Sequence, residues 1–339
     1  MAGIDNRRVA VFFPGALGDF ICLLPALHAL AERAHLEIFA KPQFADIMPE
    51  NIKVGTLERY EINRLFVAGA AFEQRVRDFF SPYERVYSWM GSSQPVFSSE
   101  ICALAPERVR LFAFRGVDPA IHQSDYYLSC LELSGNQLPA VHIPLQPEAL
   151  SWLEEFCRLH ALKEKALLVM APGSGAGEKN WPAAYFAAVG RWWRERTGGV
   201  VIILLGPVEK ERGGFDILAE QFIATQDLSL AQVAALLTRS DLYCGNDSGI
   251  SHLAAALGVT TMAVFGPSDP QIWAPRGPKV TLLRLGVACS PCDMNVMKIC
   301  PHHQCLNNFS PLKVIDELEK IGRSSNLDKG GGTDYSSTV

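Results

Sequence analysis

The 339-residue sequence predicts an α/β protein made of two parallel-sheet domains. Three observations carry this reading. Strand-like and helix-like stretches alternate in each half, the pattern of a parallel sheet wrapped by helices. The run VVIILL within 199–205 is apolar on both faces, as a central parallel strand must be. Residues 241–277, DLYCGNDSGISHLAAALGVTTMAVFGPSDPQIWAPRG, read as strand, tight turn, helix, strand and turn. In such sheets a ligand is expected in the crevice at the carboxyl ends of the strands.

The elements follow in chain order. Arg8 to Phe13 is an apolar strand, and the turn Pro14-Gly15-Ala16-Leu17-Gly18-Asp19 leads to a helix expected over 20–31. Ile21, Leu24, Leu27 and Ala31 recur there at helical spacing. Short strands are expected at 36–39, 85–89 and 108–112, with helices near 71–80 and 124–134. Pro139, Pro144 and Pro147 mark a linker, so the domain boundary falls at 146/147. The second half opens with a helix over 147–160 and a buried strand over 165–170. A glycine-rich turn, Gly173-Ser-Gly-Ala-Gly177, precedes Lys179, Trp181-Pro182 and a helix over 183–197. Strands at 242–244 and 260–265 flank a helix at 250–257 that should stop at Gly258. Ser310-Pro311 starts a last helix, Ser as cap and Pro at the first position, with Gly322 as its stop. The expected division is 1–146, 147–309, a C-terminal helix over 310–323, and a disordered tail over 324–339 rich in Gly, Ser, Asp and Thr.

Composition narrows the function. A net charge of −5 disfavours a nucleic-acid surface, which needs a basic footprint. No run of 18 apolar residues suggests a membrane span. The opening residues MAGIDNRRVAVFF lack a signal-peptide core, and nine scattered cysteines suit a reducing compartment. A cytoplasmic protein is expected.

The chemistry-bearing residues lie at strand-to-helix turns. At Gly245-Asn-Asp-Ser-Gly249 the first amides of the following helix have no internal partners and the dipole end is positive, so the turn suits a phosphate. His252, one turn in, can donate to the same anion. Asp247 or Ser248 serves equally well as a plain N-cap, and His252 as a buried polar residue. Lys179 beside the Gly173–Gly177 nest, which includes Ser174, suits a phosphate too; a solvated lysine is the alternative. Glu209, after the VVIILL strand, can accept hydrogen bonds from ribose hydroxyls, or be a surface carboxylate. Asp19 enters the first helix after Gly15 and Gly18, which let the backbone turn tightly; helix capping explains it as readily as catalysis. Cys289-x2-Cys292-x7-Cys300-x4-Cys305 has the look of zinc-ligand spacing, although its second interval is short. A serine-hydrolase triad is rejected, because no nucleophile elbow surrounds Ser248.

Together these residues resemble glycosyltransferase family 9. Four motifs match in order: Gly15-Ala-Leu-Gly-Asp19; Pro172-Gly-Ser-Gly with Lys179 and Trp181-Pro182; Leu205-Gly206 with Glu209; and Asp247-Ser-Gly-x-x-His252 running to Phe265-Gly-Pro-Ser-Asp-Pro270. The resemblance implies a GT-B fold, two Rossmann-like domains facing a central cleft. It implies an inverting transfer of a sugar, typically heptose from ADP-heptose, onto a lipopolysaccharide core or a related glycan. It implies that Asp19 is the general base, that Lys179, Ser248, Gly249 and His252 hold the diphosphate, and that Ser174 and Asp247 also belong to the donor site. Glu209 would meet the ribose. The implied partners are a nucleotide sugar and a lipid-linked or oligosaccharide acceptor, with peripheral contact at the inner membrane face. No metal or other cofactor is implied; a helix terminus and cations would stabilise the leaving group. Relatives carry a cysteine-rich segment here that is not a catalytic metal site.

Two places depart from the family pattern. Phe12-Phe13-Pro14 stands where a basic residue is common, and Ser88-Trp89-Met90-Gly91 stands where relatives read Asp-Leu-Gln-Gly. Both fall in the acceptor half, so the acceptor is the part left open. The competing readings are a nucleotide-sugar epimerase and a non-catalytic nucleotide-sugar binding protein. An epimerase needs acid/base groups reaching the sugar from both faces, and only Asp19 is well placed. A Rossmann dehydrogenase is disfavoured, because no G-x-G-x-x-G follows the first strand.

Overall fold

The computed structural model describes residues 7–133 and 141–325. The chain forms two units. One comprises Met1–Gln146 with Ser229–Ala231 and Gln271–Trp273; the other comprises Pro147–Leu228, Gln232–Pro270 and Ala274–Val339.

The first unit is built on a parallel five-stranded sheet: β1 (Arg8–Phe12), β2 (His35–Ala40), β3 (Ile52–Thr56), β4 (Arg85–Ser88) and β5 (Val109–Leu111), in the order β3-β2-β1-β4-β5. The strand order reverses beside β1, the kind of switch point where doubly wound sheets take ligands. β3 and the helix Pro95–Leu104 were not legible in the sequence. The helix expected over 71–80 is divided into a short turn, Ala70–Phe72, and a helix, Gln74–Phe80. The helix expected over 124–134 runs Gln123–Cys130; Ser134 lies outside the described residues.

The two departures from the family pattern meet in this unit's core. Phe13 is fully buried and Trp89 is 1% exposed. Their ring centroids lie 6.2 Å apart edge-on, and each packs on Tyr127 at 5.5 Å. Both side chains are enclosed in that core. The pair reads as one coupled change of packing, apolar rings filling a common space. Truncating Trp89 to Ala should therefore lower unfolding free energy by about 3–5 kcal/mol, as other buried aromatic deletions do. Urea denaturation checks this, and a loss below about 1 kcal/mol would contradict the packing account.

The second unit carries six parallel strands: β6 (Leu167–Ala171), β7 (Val200–Leu205), β8 (Ile223–Gln226), β9 (Leu242–Asn246), β10 (Thr261–Phe265) and β11 (Val280–Arg284). Their order is β11-β10-β9-β6-β7-β8. β6, β9 and β10 are buried throughout, so their sequences are apolar without alternation. β8 and β11, the two edge strands, were not legible in the sequence. The helix Ala183–Thr197 matches its expected span and ends at Gly198 in the left-handed conformation. The last helix runs Pro311–Ser325, through Gly322 and beyond the expected stop. A single glycine costs a helix only about 1 kcal/mol, which is not enough to end it. Leu312 N–H donates to Ser310 Oγ at 3.3 Å, the expected N-terminal cap. The tail expected to be disordered lies, from residue 326, outside the described residues.

Candidate active site

In the first unit the helix Leu17–Ala31 begins earlier than expected. Gly18 is thus inside the first helical turn, and Asp19 is its third residue. Only Gly15 lies in the turn proper. A Cβ there would overlap the Phe13 ring and come within 2.9 Å of Asp19 Cβ, so glycine is required for the close approach. Asp19 Oδ2 accepts the Ala16 N–H at 3.2 Å. The capping role is therefore real. The carboxylate is half-buried and close to Tyr127, whose hydroxyl donates to Phe114 O at 3.3 Å. The Tyr127 phenol holds its proton well above the usual range, first through burial and then through the charges of Asp19 and Cys22. Arg115, 5.1 Å over the Trp273 ring, opposes that shift. A carboxylate in the first turn of the helix that follows β1, beside a neutral phenol, can accept a proton from a hydroxyl.

In the second unit the candidate residues gather at the carboxyl ends of β6, β7 and β9. Lys179 Nζ donates to Asp247 Oδ2 at 2.7 Å. The Lys179 side chain is 27% exposed and that of Asp247 only 7%. Asp247 thus orients the ammonium from the buried side, and a carboxylate so engaged is a poor direct partner for a diphosphate. Ser248 is the N-cap residue of the helix Gly249–Ala256, yet its side chain makes no cap hydrogen bond. Its hydroxyl lies 3.3 Å from Ser251 Oγ instead. The plain N-cap reading of Ser248 therefore fails, and the first amides of this helix remain suited to an anion. His252 sits one turn on, 4% exposed.

Glu209 is the third residue of the helix Pro207–Arg212, and its Oε2 accepts the Gly206 N–H at 2.9 Å. A Cβ at Gly173 would overlap this carboxylate, which explains glycine at that place in the turn after β6. Ser174 is 5% exposed, and its Oγ lies 2.5 Å from Ala176 O and 2.7 Å from Asn180 Oδ1. One proton cannot serve both at once; either way Ser174 braces the turn.

Two residues that sequence reasoning missed matter here. Asn246 is fully buried; its Oδ1 accepts the Trp181 N–H at 2.9 Å and its Nδ2 donates to Pro172 O at 2.6 Å. It ties the turn after β9 to both ends of the Pro172–Trp181 loop. It stood within the polar Gly245–Gly249 run, and that was the available signal. Arg212 Nη1 donates to Ser174 O at 3.1 Å, placing a second cation at the glycine-rich turn. No local pattern separates Arg212 from its neighbours Lys210 and Glu211.

The four cysteines of 289–305 are near enough for their charges to interact. Burial raises the Cys305 thiol, and Cys292 and Cys289 raise it further. Among the described residues, no group of three or more His, Cys, Asp or Glu side chains is arranged to hold a metal ion.

Two parallel-sheet units of this kind, with polar turns at the carboxyl ends of their strands, define a protein of the GT-B class. Comparison with known proteins points to one family of that class. The model of glycosyltransferase family 9 (heptosyltransferase) matches residues 137–301. Lipooligosaccharide heptosyltransferase 2 of Campylobacter jejuni subsp. jejuni serotype O:6 is 27% identical over 332 residues, covering 93% of this chain and 99% of the relative. A glycosyl transferase family 9 structure from Veillonella parvula superimposes with a TM-score of 0.73 at 22% identity, covering 95% of this chain and 99% of the other. ADP-heptose lps heptosyltransferase II of E. coli gives 0.70 at 20% identity, covering 94% and 99%. Along nearly its whole length the chain is similar to proteins of glycosyltransferase family 9, and it is a glycosyltransferase.

Proposed function

We propose that this enzyme moves heptose from ADP-heptose to a lipopolysaccharide or lipooligosaccharide core, with inversion at the anomeric carbon. The observation that carries this is the oriented Lys179–Asp247 pair beside a helix N-terminus without a side-chain cap. A cation and helix amides held together at a sheet's carboxyl edge suit a diphosphate leaving group. The names of the relatives supply the sugar and the acceptor class.

In this reading the second unit binds the donor. Lys179, the amides from Ser248 and Gly249, and His252 take the diphosphate, while Glu209 takes ribose hydroxyls. Asp247, Ser174 and Asn246 hold these groups in place. The first unit binds the acceptor, and Asp19 removes the proton from its hydroxyl. The acceptor oxygen bonds to the anomeric carbon as the bond from that carbon to the diphosphate oxygen breaks. The electron pair leaves with ADP, whose charge Lys179 and the helix dipole stabilise. Peripheral contact with the membrane face that carries a lipid-linked acceptor belongs to the same reading; no helix among the described residues is long and apolar enough to cross a membrane.

Titration calorimetry with ADP, UDP and GDP, together with a transfer assay using ADP-heptose and heptose-acceptor lipopolysaccharide, tests the proposal. ADP should bind best of the three, and transfer should release ADP. Preference for another nucleotide, or ADP release without transfer to the glycan, would overturn the assignment of substrate. Within this site, His252→Ala should weaken ADP more than adenosine, by about 1.5–3 kcal/mol for a hydrogen bond to a charged group. Equal losses for both ligands would return His252 to packing.

A further inference from the structure

The cysteine-rich segment is not part of the donor site, yet it braces that site from two sides. Following β10, the loop Gly266–Asp269 leaves the sheet next to the turn after β9. Cys292 N–H donates to Pro267 O at 2.8 Å. Ser290 Oγ donates to Gly266 O at 2.5 Å. A Cβ at Gly266 would overlap the Leu306 side chain, so the loop and the segment are in close contact. On the other side, Phe309 O accepts the Trp181 Nε1–H at 2.8 Å, and Asn307 O accepts the Tyr185 hydroxyl at 2.9 Å. Trp181 is two residues from Lys179 and is itself held by Asn246. A change of backbone in 289–309 is therefore transmitted to both the loop after β10 and the Lys179 arm.

The segment also carries chemistry able to make such a change. Cys289 is exposed and Cys292 is half-buried. The Cys292 Sγ lies 2.9 Å from Cys289 O, so its sulfur is within a side chain's reach of the first cysteine. Burial raises the Cys292 thiol, and the neighbouring Cys289 and Cys300 raise it further, which agrees with thiols gathered in one place.

We propose that Cys289 and Cys292 form a thiol–disulfide switch that weakens nucleotide-sugar binding when oxidised. This rests on reading the second unit as the donor site. The oxidant is a low-molecular-weight disulfide such as oxidised glutathione. The Cys289 thiol gives its proton to water, and its thiolate attacks one sulfur of the oxidant, expelling one thiolate. Cys292, deprotonated in turn, attacks the Cys289 sulfur and expels the second thiolate. Two cysteine thiols are oxidised and one disulfide is reduced to two thiols. Closing the bond takes the Cys292 sulfur from Cys289 O and draws its backbone away from Pro267, so the loop after β10 loses its support.

The test uses the full chain, reduced and then equilibrated with oxidised glutathione, with peptide mapping by mass spectrometry and calorimetry with ADP. Oxidation should link Cys289 to Cys292, and ADP should bind about tenfold more weakly, the effect of losing one or two loop hydrogen bonds. A thiol reductant should restore binding, and Cys289→Ser and Cys292→Ser should each be insensitive to the oxidant. A mapped disulfide with unchanged ADP affinity would overturn the proposal. So would failure of the pair to oxidise, a response retained in Cys289→Ser, or stoichiometric metal found on the thiols. If the reduced chain ignores ADP while the disulfide still forms, the donor-site reading has failed, and the switch fails with it as stated.

Discussion

Asp19→Asn is expected to lower turnover by at least about 10²-fold, the lower end of what a general base contributes. The substitution suits the site. Asn presents an oxygen that can still accept the Ala16 N–H, so the helix Leu17–Ala31 keeps its cap. Shape and side-chain volume are retained, and only basicity is lost. The melting temperature and the ADP affinity should therefore stay close to those of the parent, since every residue assigned to ADP lies in the other unit. Single-turnover transfer kinetics beside calorimetry separate the two effects. Parental turnover in a well-folded Asp19→Asn chain would rule the base out and leave Asp19 a cap.

Lys179→Met is expected to weaken ADP binding by about 10- to 100-fold, the worth of a charge-assisted hydrogen bond to phosphate. Adenosine, which has no phosphate, should bind almost as before. The buried partner complicates the single variant. Asp247 is 6% exposed, and removing its cation leaves a nearly enclosed carboxylate uncompensated, which is destabilising in its own right. The double variant Lys179→Met/Asp247→Asn removes both charges and recovers that stability. It should still lack ADP affinity, because the cation is what the diphosphate needs. If the double variant binds ADP as the parent does, Lys179 is a structural partner of Asp247, and the diphosphate is held elsewhere.

The local reading of these residues succeeded where chemistry and chain geometry coincide in a short stretch. The turn 245–249 and the helix after it could be read because small polar residues between two apolar strands admit few conformations. The buried strands β6, β7, β9 and β10 were legible for the same reason, being apolar on both faces. β3, β8 and β11 were not, since they are the outer strands of their sheets, and partial exposure dilutes the signal. The start of the first helix was misplaced because Leu17 and Gly18 carry no start signal. The helix begins there because Asp19 reaches back to Ala16.

By itself the sequence determined the class of fold, the order of the motifs and the chemistry each motif could supply. Those follow from side-chain type and spacing, which are local properties. Which candidates act directly and which hold others in place was decided only by tertiary structure. Lys179 and Asp247 are 68 positions apart, and Asn246 and Pro172 are 74 apart. Whether a carboxylate meets a ligand or a lysine, and whether a serine is exposed or enclosed, depends on which strand ends become neighbours. A parallel sheet ordered β11-β10-β9-β6-β7-β8 sets β9 beside β6. That adjacency comes from packing the whole sheet between helices, and no single stretch of sequence encodes it.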